Sequence, residues 1–309
     1  MKRIDINICT RDRATEVYGL LVSLMHQTHN LFDVYVLDDG SGTPLHQFHF
    51  FNTVCNGLRH QGHRVHFIRN DMSKGVSKAR EQLQEYTLKN GRGDFICRLD
   101  DDTVLDHNYL DYLLDVIDAG YDIASGVTPP LANPVCGRET KFVSPVINRI
   151  VLDEKGSFVI NADDCGSLYT EEVILPADHF RSNCLYKKEI GVKVHYDDCV
   201  SKESGFREET YFSLRAIKAG YFIGVHTGAI AWHILAPSGG ERRPEFGKYA
   251  LINQQLLNRM VKRWFVEGGD FIKKYHDELE SRGLKLRDTA TSERVTLYKN
   301  NNLIYSVED

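Results

Sequence analysis

"ICRLDDDTVLD", residues 96–106, ends an apolar run in three adjacent carboxylates, Asp100, Asp101 and Asp102. Like charges this close repel, so the chain must supply or recruit cations to hold them. On an extended strand side chains alternate, which puts Asp100 and Asp102 on one face and Asp101 on the other. Carboxylates so spaced suit a hard divalent cation, Mg²⁺ or Mn²⁺. The competing reading is a solvated acidic turn ahead of the next helix. Asp106 is expected to cap that helix, "HNYLDYLLDVI",. A calcium-binding EF-hand loop is excluded, because Val104 and Leu105 stand where it needs an oxygen ligand and a glycine,.

Outward from this stretch, two hydrophobic periods alternate. Apolar β-rich runs occur at 3–10, 32–39, 64–70, 94–101 and 122–128. Between them Val17, Leu20, Leu21 and Leu24 share one helical face, as do Val76, Ala79, Leu83 and Tyr86, and Leu110, Leu113, Leu114 and Ile117,. Residues 44–61 are read as a less regular helix. Such alternation predicts an α/β fold, a mostly parallel sheet with helices on both faces. Ligands of these sheets bind at the carboxyl ends of the strands. Four strands end there in polar clusters: Thr10–Arg13, Asp38–Ser41, Asn70–Lys74 and Asp100–Thr103. Together they predict a lined pocket.

Beyond 128 the pattern loosens. Residues 135–180, rich in Gly, Asp and Asn with short strand-like pieces, are read as an insert shaping a second substrate's pocket. A strand-like piece spans 182–191, and 207–221 is a helix stopped by Gly220,. Residues 222–234 give one or two strands, 244–281 are largely helical, and 294–308 form a hairpin turning at Asn300–Asn302,. The expected division is a donor half at 1–128, an acceptor half at 129–243 and an extension at 244–309.

The bulk numbers exclude several classes. In 309 residues, 42% are hydrophobic and 26% charged, the balance of an ordinary globular chain,. A net charge of −5 gives no electrostatic ground for binding a nucleic-acid duplex,. Neither a secretory signal nor an apolar run long enough for a membrane helix is seen. The 7 scattered cysteines show no C-x-x-C pair and read as reduced thiols, so the expected location is cytoplasmic,. "GVSKAR" lacks the G-K-[ST] of a nucleotide-hydrolysing P-loop,.

"DDDTV" also matches the nucleophile loop of haloacid-dehalogenase-like phosphatases, with Asp100 as nucleophile and Asp102 as acid/base, although that loop normally follows the first strand rather than the fourth. The order of seven motifs carries a more specific likeness. A strand ends in Cys9-Thr10-Arg11-Asp12-Arg13, a helix ends in "SLMHQT", and the next strand ends in Asp38-Asp39-Gly40-Ser41. "NDMSKGVSKAR", "LDDDT" and "EETYFSLRAIKAG" follow, and a last strand ends in His at "AIAWHI". The chain thereby resembles family 2 glycosyltransferases of the GT-A fold, an α/β/α sandwich of Rossmann type.

The resemblance implies a nucleotide-diphosphate sugar donor, expected to be UDP-linked, and a hydroxyl acceptor. The acceptor's type (glycan, lipid-linked sugar, protein, metabolite or modified nucleobase) stays open. It implies that Thr10 and Asp39 border the base, that Arg11, Arg13, Arg80, Asp100 and Asp101 help hold the nucleotide, and that Asp102 and His233 bind Mn²⁺ or Mg²⁺. Arg11 replaces the Tyr expected beside the base. Ser238, Gly239, Arg242 and Arg243, in the loop after His233, are expected on the diphosphate, the glycine for close backbone approach and the arginines as ionic partners. Glu209 is expected as the general base for an inverting transfer, with Glu208 second. The basic stretch at Arg259, Lys262 and Arg263 is read as a solvated helix face. Besides the phosphatase, a non-catalytic nucleotide-sugar-binding protein remains an alternative.

Overall fold

Strand β1 (Ile4–Thr10) sits inside the sheet, bonded in parallel to β2 (Phe32–Asp38) and β4 (Phe95–Asp100). The computed structural model describes residues 2–131, 148, 150–152, 158–160, 166, 168–169, 172–196, 204–240, 246–284, 296–299 and 302–306. Period-two burial is clearest on β2. Phe32, Val34 and Val36 join one core with Val17, Leu20, Leu21 and Leu24 of α1 (Ala14–Met25). Tyr35 and Leu37 join another with Ala79 and Leu83 of α3 (Val76–Asn90). Each face of β2 is thus covered by a helix, which is why its burial is continuous. A one-turn helix at 45–47 and α2 (His49–His60) lead to the outer strand β3 (Val65–Arg69).

The sheet order is β3-β2-β1-β4-β10-β6-β11-β5, where β5 is Thr103–Leu105, β6 Ile123–Val127, β10 Cys184–Lys187 and β11 Ile223–His233. β10 runs antiparallel between β4 and β6. β11 runs parallel to β6, then antiparallel to β5, its register shifting between Val225 and Ile230. β9 (Ile174–Ala177) pairs antiparallel with β11. The expected mostly parallel sheet is therefore mixed, because β5, β9 and β10 run against the direction of the other strands. β7 (Ile150–Leu152) pairs with β8 (Phe158–Ile160). α4 (Tyr109–Asp118) packs on β6 and β11.

Residues 182–191 give β10 and then α5 (Lys188–Lys193). α6 (Glu208–Lys218) follows the expected helix, and 222–234 hold one strand. The helical stretch at 244–281 is two helices, α7 (Phe246–Gly268) and α8 (Phe271–Ser281). Gly269 breaks it at φ 72°, and Asp270 caps α8 by accepting from Lys273 N at 2.8 Å. β12 (Thr296–Lys299) and β13 (Asn302–Ser306) form the expected hairpin. No helix among the described residues is long and apolar enough to cross a membrane.

Two readings of the acidic stretch need correction. β4 ends at Asp100 and the chain turns through Asp101 and Asp102 before β5, so strand alternation does not apply there. All three carboxylates line the same cleft. Nor does the Asp106 side chain cap α4, whose preceding residue is Asn108. Its Oδ1 instead accepts from Trp232 Nε1 at 2.8 Å, tying the start of α4 to β11.

Candidate functional site

A cleft of about 280 Å³ opens at the carboxyl ends of β1, β2 and β4. It gathers Thr10, Arg11, Arg13, Asp39, Arg80, Asp100, Asp101, Asp102, Glu208, Glu209 and His233, which the sequence scatters over more than two hundred positions. Each strand end contributes because the apolar run that buries the strand stops where the polar cluster begins.

The cations that hold the three carboxylates are arginines. Arg80 Nη2 donates to Asp100 Oδ1 at 2.6 Å, and Arg98 Nη2 lies 3.7 Å from the same oxygen. Burial pushes Asp100 up, but Arg80 and then Arg98 outweigh it and hold its carboxyl at about 2,. Arg13 Nη1 bridges Asp101 and Asp102. Burial, opposed by Arg13 and reinforced by Asp102, pushes Asp101 up to about 6. Burial also raises Asp102, yet the hydrogen bond and charge of His233, with Arg13, bring it below the usual carboxylate range. His233 Nε2 is 3.3 Å from Asp102 Oδ2.

Among the described residues the lining holds six carboxylates against four guanidiniums, a formal excess of two negative charges. One divalent cation would balance it. Asp102 and His233 form an oxygen and nitrogen pair suited to Mn²⁺ or Mg²⁺ when phosphate and water oxygens complete the shell. No group of three or more His, Cys, Asp or Glu among the described residues can hold a metal alone, so the residues fit an ion shared with a ligand rather than a protein cage.

Asp39 lines the cleft, but both its oxygens are taken by protein donors. Oδ1 accepts from Asn70 Nδ2 at 2.7 Å, and Oδ2 from Ser73 Oγ at 2.7 Å and Gly75 N at 3.1 Å, with Lys74 N 3.0 Å from each. The carboxylate organises the entry to α3 through these bonds. Arg11 extends along the cleft with its Nε 3.6 Å from Asp12 Oδ2.

The loop after β11 reaches the same place. Ser238 O accepts from Arg13 Nε at 3.1 Å, and Gly240 N donates to Arg11 O at 2.8 Å. Gly239 has φ 74°, and a methyl group there would sit 2.7 Å from Asp12 O. Only glycine allows this approach of two backbones. Arg242 and Arg243 lie outside the described residues.

The two glutamates differ. Glu208 is buried, with Oε1 paired to Arg98 Nη2 at 2.7 Å and to Arg80 Nη1. Two guanidiniums hold its Oε1, an ion-pair role that its reading as second base did not include. Glu209 is partly exposed on the cleft wall. Arg98 itself escaped the sequence reading, though an arginine inside the apolar strand "FICRLD" was a usable signal. Gly205 and Phe206, also on the wall, carried none. Burial pushes the Cys9 thiol at the cleft up to about 12, so it is no nucleophile,.

The strand order and a polar cleft at the sheet's carboxyl edge define an α/β architecture of GT-A type. Residues 5–156, just under half of the chain, match the sequence model described as Glycosyl transferase family 2. No curated protein matches the chain in sequence. Among solved structures, GalNAc-T7 with UDP, GalNAc and Mn²⁺ is similar at a TM-score of 0.59 and 15% identity, over 94% of this chain and 53% of that one. S. aureus TarS 1–349 in complex with UDP-GlcNAc gives 0.52 and 15%, over 85% and 73%. A longer S. aureus TarS gives 0.50 and 14%, over 85% of this chain and 43% of that one. The chain thus spans about half the length, or less, of GalNAc-T7 and the longer TarS.

Proposed function

We propose that this protein transfers a sugar from a nucleotide-diphosphate donor, UDP-linked, to a hydroxyl acceptor, with inversion at the anomeric carbon. One observation carries this reading: a single cleft joins Arg80 and Asp100, the Asp102–His233 pair, and Glu209. The match to the family model supports it, as do the uridine nucleotides and Mn²⁺ named with the similar structures.

The residues then divide the work. Arg11, Thr10 and the loop ordered by Asp39 border the base. Arg80 and Asp100 hold the nucleotide, and the backbone of Ser238 to Gly240, braced on Arg13, borders the diphosphate. Asp102 and His233 would hold Mn²⁺ or Mg²⁺, which when bound supplies Lewis-acid stabilisation of the departing diphosphate's charge. Glu209 accepts the proton of the acceptor hydroxyl as it attacks, a contribution of about 10²–10⁴-fold. The phosphatase reading is less favoured, because its loop here follows β4 rather than the first strand of the sheet.

The test is titration calorimetry of UDP with and without Mn²⁺, coupled to UDP release from a panel of UDP-sugars. Asp102→Asn removes the Mn²⁺-dependent part of UDP binding. Glu209→Gln keeps binding and loses turnover; full turnover in that variant refutes the base. Binding without turnover in the unaltered protein favours a non-catalytic binder.

A further inference from the structure

Arg98 is out of character with its position. It lies within β4, between β1 and β10, facing Asn7 on one side and Cys184 on the other. Its side chain is 5% exposed. A guanidinium there gives up its hydration, so the fold must hold it by strong local partners. It has them: Glu208 Oε1 at 2.7 Å, and the rings of Phe180 and Tyr196 at 5.8 and 5.6 Å,. Arg80 pairs with Glu208 as well and reaches on to Asp100. Two acids and two guanidiniums thus join the end of β4, the first turn of α3 and the first residue of α6.

The start of α6 needs this anchor. Arg207, just before it, takes a left-handed backbone at φ 74° and gives no side-chain cap. A non-glycine residue adopts that conformation only when its surroundings impose it. Asn253 of α7 holds the preceding carbonyls, donating from Nδ2 to Ser204 O at 2.9 Å and Phe206 O at 3.0 Å. Gly205 fits against Val76, which a methyl group would strike. Among these contacts the pairs of Glu208 with Arg98 and Arg80 grip α6 by a side chain of its first residue, and of the two arginines Arg98 is the one fixed within a sheet strand. Glu209 is the next residue.

We propose that Arg98 and Glu208 are positioning residues: their ion pair fixes the first turn of α6 and so aims Glu209 at the acceptor hydroxyl. This rests on the glycosyltransferase reading for the role of Glu209, but the lock itself does not. Neither residue takes the proton. Arg98 acts through Glu208, and Glu208 through the helix it begins.

The experiment compares Arg98→Met, Arg98→Lys and Glu208→Gln with the unaltered full chain. Amide hydrogen exchange over residues 205–212 reads the lock without any substrate. UDP affinity in Mn²⁺ and UDP release from UDP-GlcNAc, or another UDP-sugar that the unaltered protein turns over, read its consequence. Arg98→Met and Glu208→Gln should speed exchange in that segment. They should lower kcat by about 10–100-fold, well beyond any fall in UDP affinity, the pattern of a displaced catalytic group. Arg98→Lys, which keeps the charge, should recover part of both. Unchanged exchange, or affinity and kcat falling together, overturns the proposal. Should Arg98→Met fail to fold, Glu208→Gln carries the comparison. Should the unaltered protein neither bind UDP nor turn over any UDP-sugar, the donor reading falls, and the exchange measurement alone upholds or overturns the lock.

Discussion

Arg13 Nη1 lies 2.8 Å from Asp101 Oδ1 and 3.2 Å from Asp102 Oδ2, so one guanidinium spans two adjacent carboxylates. All three side chains are almost wholly buried. Replacing Arg13 by Met leaves two desolvated acids facing each other. A loss of about 3–5 kcal/mol is expected from removing one partner of a buried ion pair. Urea unfolding measures it. Adding Asp101→Asn to Arg13→Met should return part of the loss, since the coupling lies in the pair. Equal stability of Arg13→Met and the unaltered protein would contradict this.

His233 meets Asp102 at 3.3 Å at the end of β11. His233→Ala should abolish the Mn²⁺-dependent gain in UDP affinity and leave the affinity in EDTA unchanged. Calorimetry in the two buffers separates these. A Mn²⁺ gain of full size in the variant would remove His233 from the ion's shell.

At the opposite end of the sheet, Asp5 is fully buried. Burial raises its carboxyl above the ordinary 3.8, outweighing the Gly93 N–H bond and Lys188, and Asp33 adds to the rise. The folded protein therefore keeps a proton there in a pH interval where the unfolded chain has lost it. Stability from this group is fully present below 3.8 and is lost as pH rises through the raised value,. Asp5→Asn, which retains an acceptor for Gly93 N, should lack this decline. Midpoints of urea unfolding from pH 3.5 upward would show the variant gaining on the unaltered protein. A constant gap would sink the claim.

Gly126 sits on β6 where the β11 register shifts. A methyl group there would collide with Ala229 O and lie 2.8 Å from Ala229 Cβ. Both contacts involve atoms that cannot swing aside. Gly126→Ala should cost about 1–3 kcal/mol or more. A melting temperature within a degree of the unaltered protein's would mean that the two strands part freely.

The local code was readable wherever one period dominated. Helices α1, α3 and α4, and the first strands themselves, follow from apolar spacing, as the split of β2 between two cores illustrates. The cleft was legible because strand ends and polar clusters coincide. What escaped was set by distant partners. Nothing near Cys184 tells that β10 will run antiparallel between β4 and β6. Nothing near Glu208 tells that Arg80 and Arg98, over a hundred residues earlier, will seize it. Asp106 was misread because Trp232, its partner, is equally far along the chain. Local propensity is blind to such pairings.

The insertion of β10 between β4 and β6 has a further consequence. A chain severed at residue 128 would leave its first piece with β6 detached from β4, since four residues of the second piece supply the missing seam. Neither fragment would make a working half alone, but the two expressed together should reassemble, with β10 as the zipper.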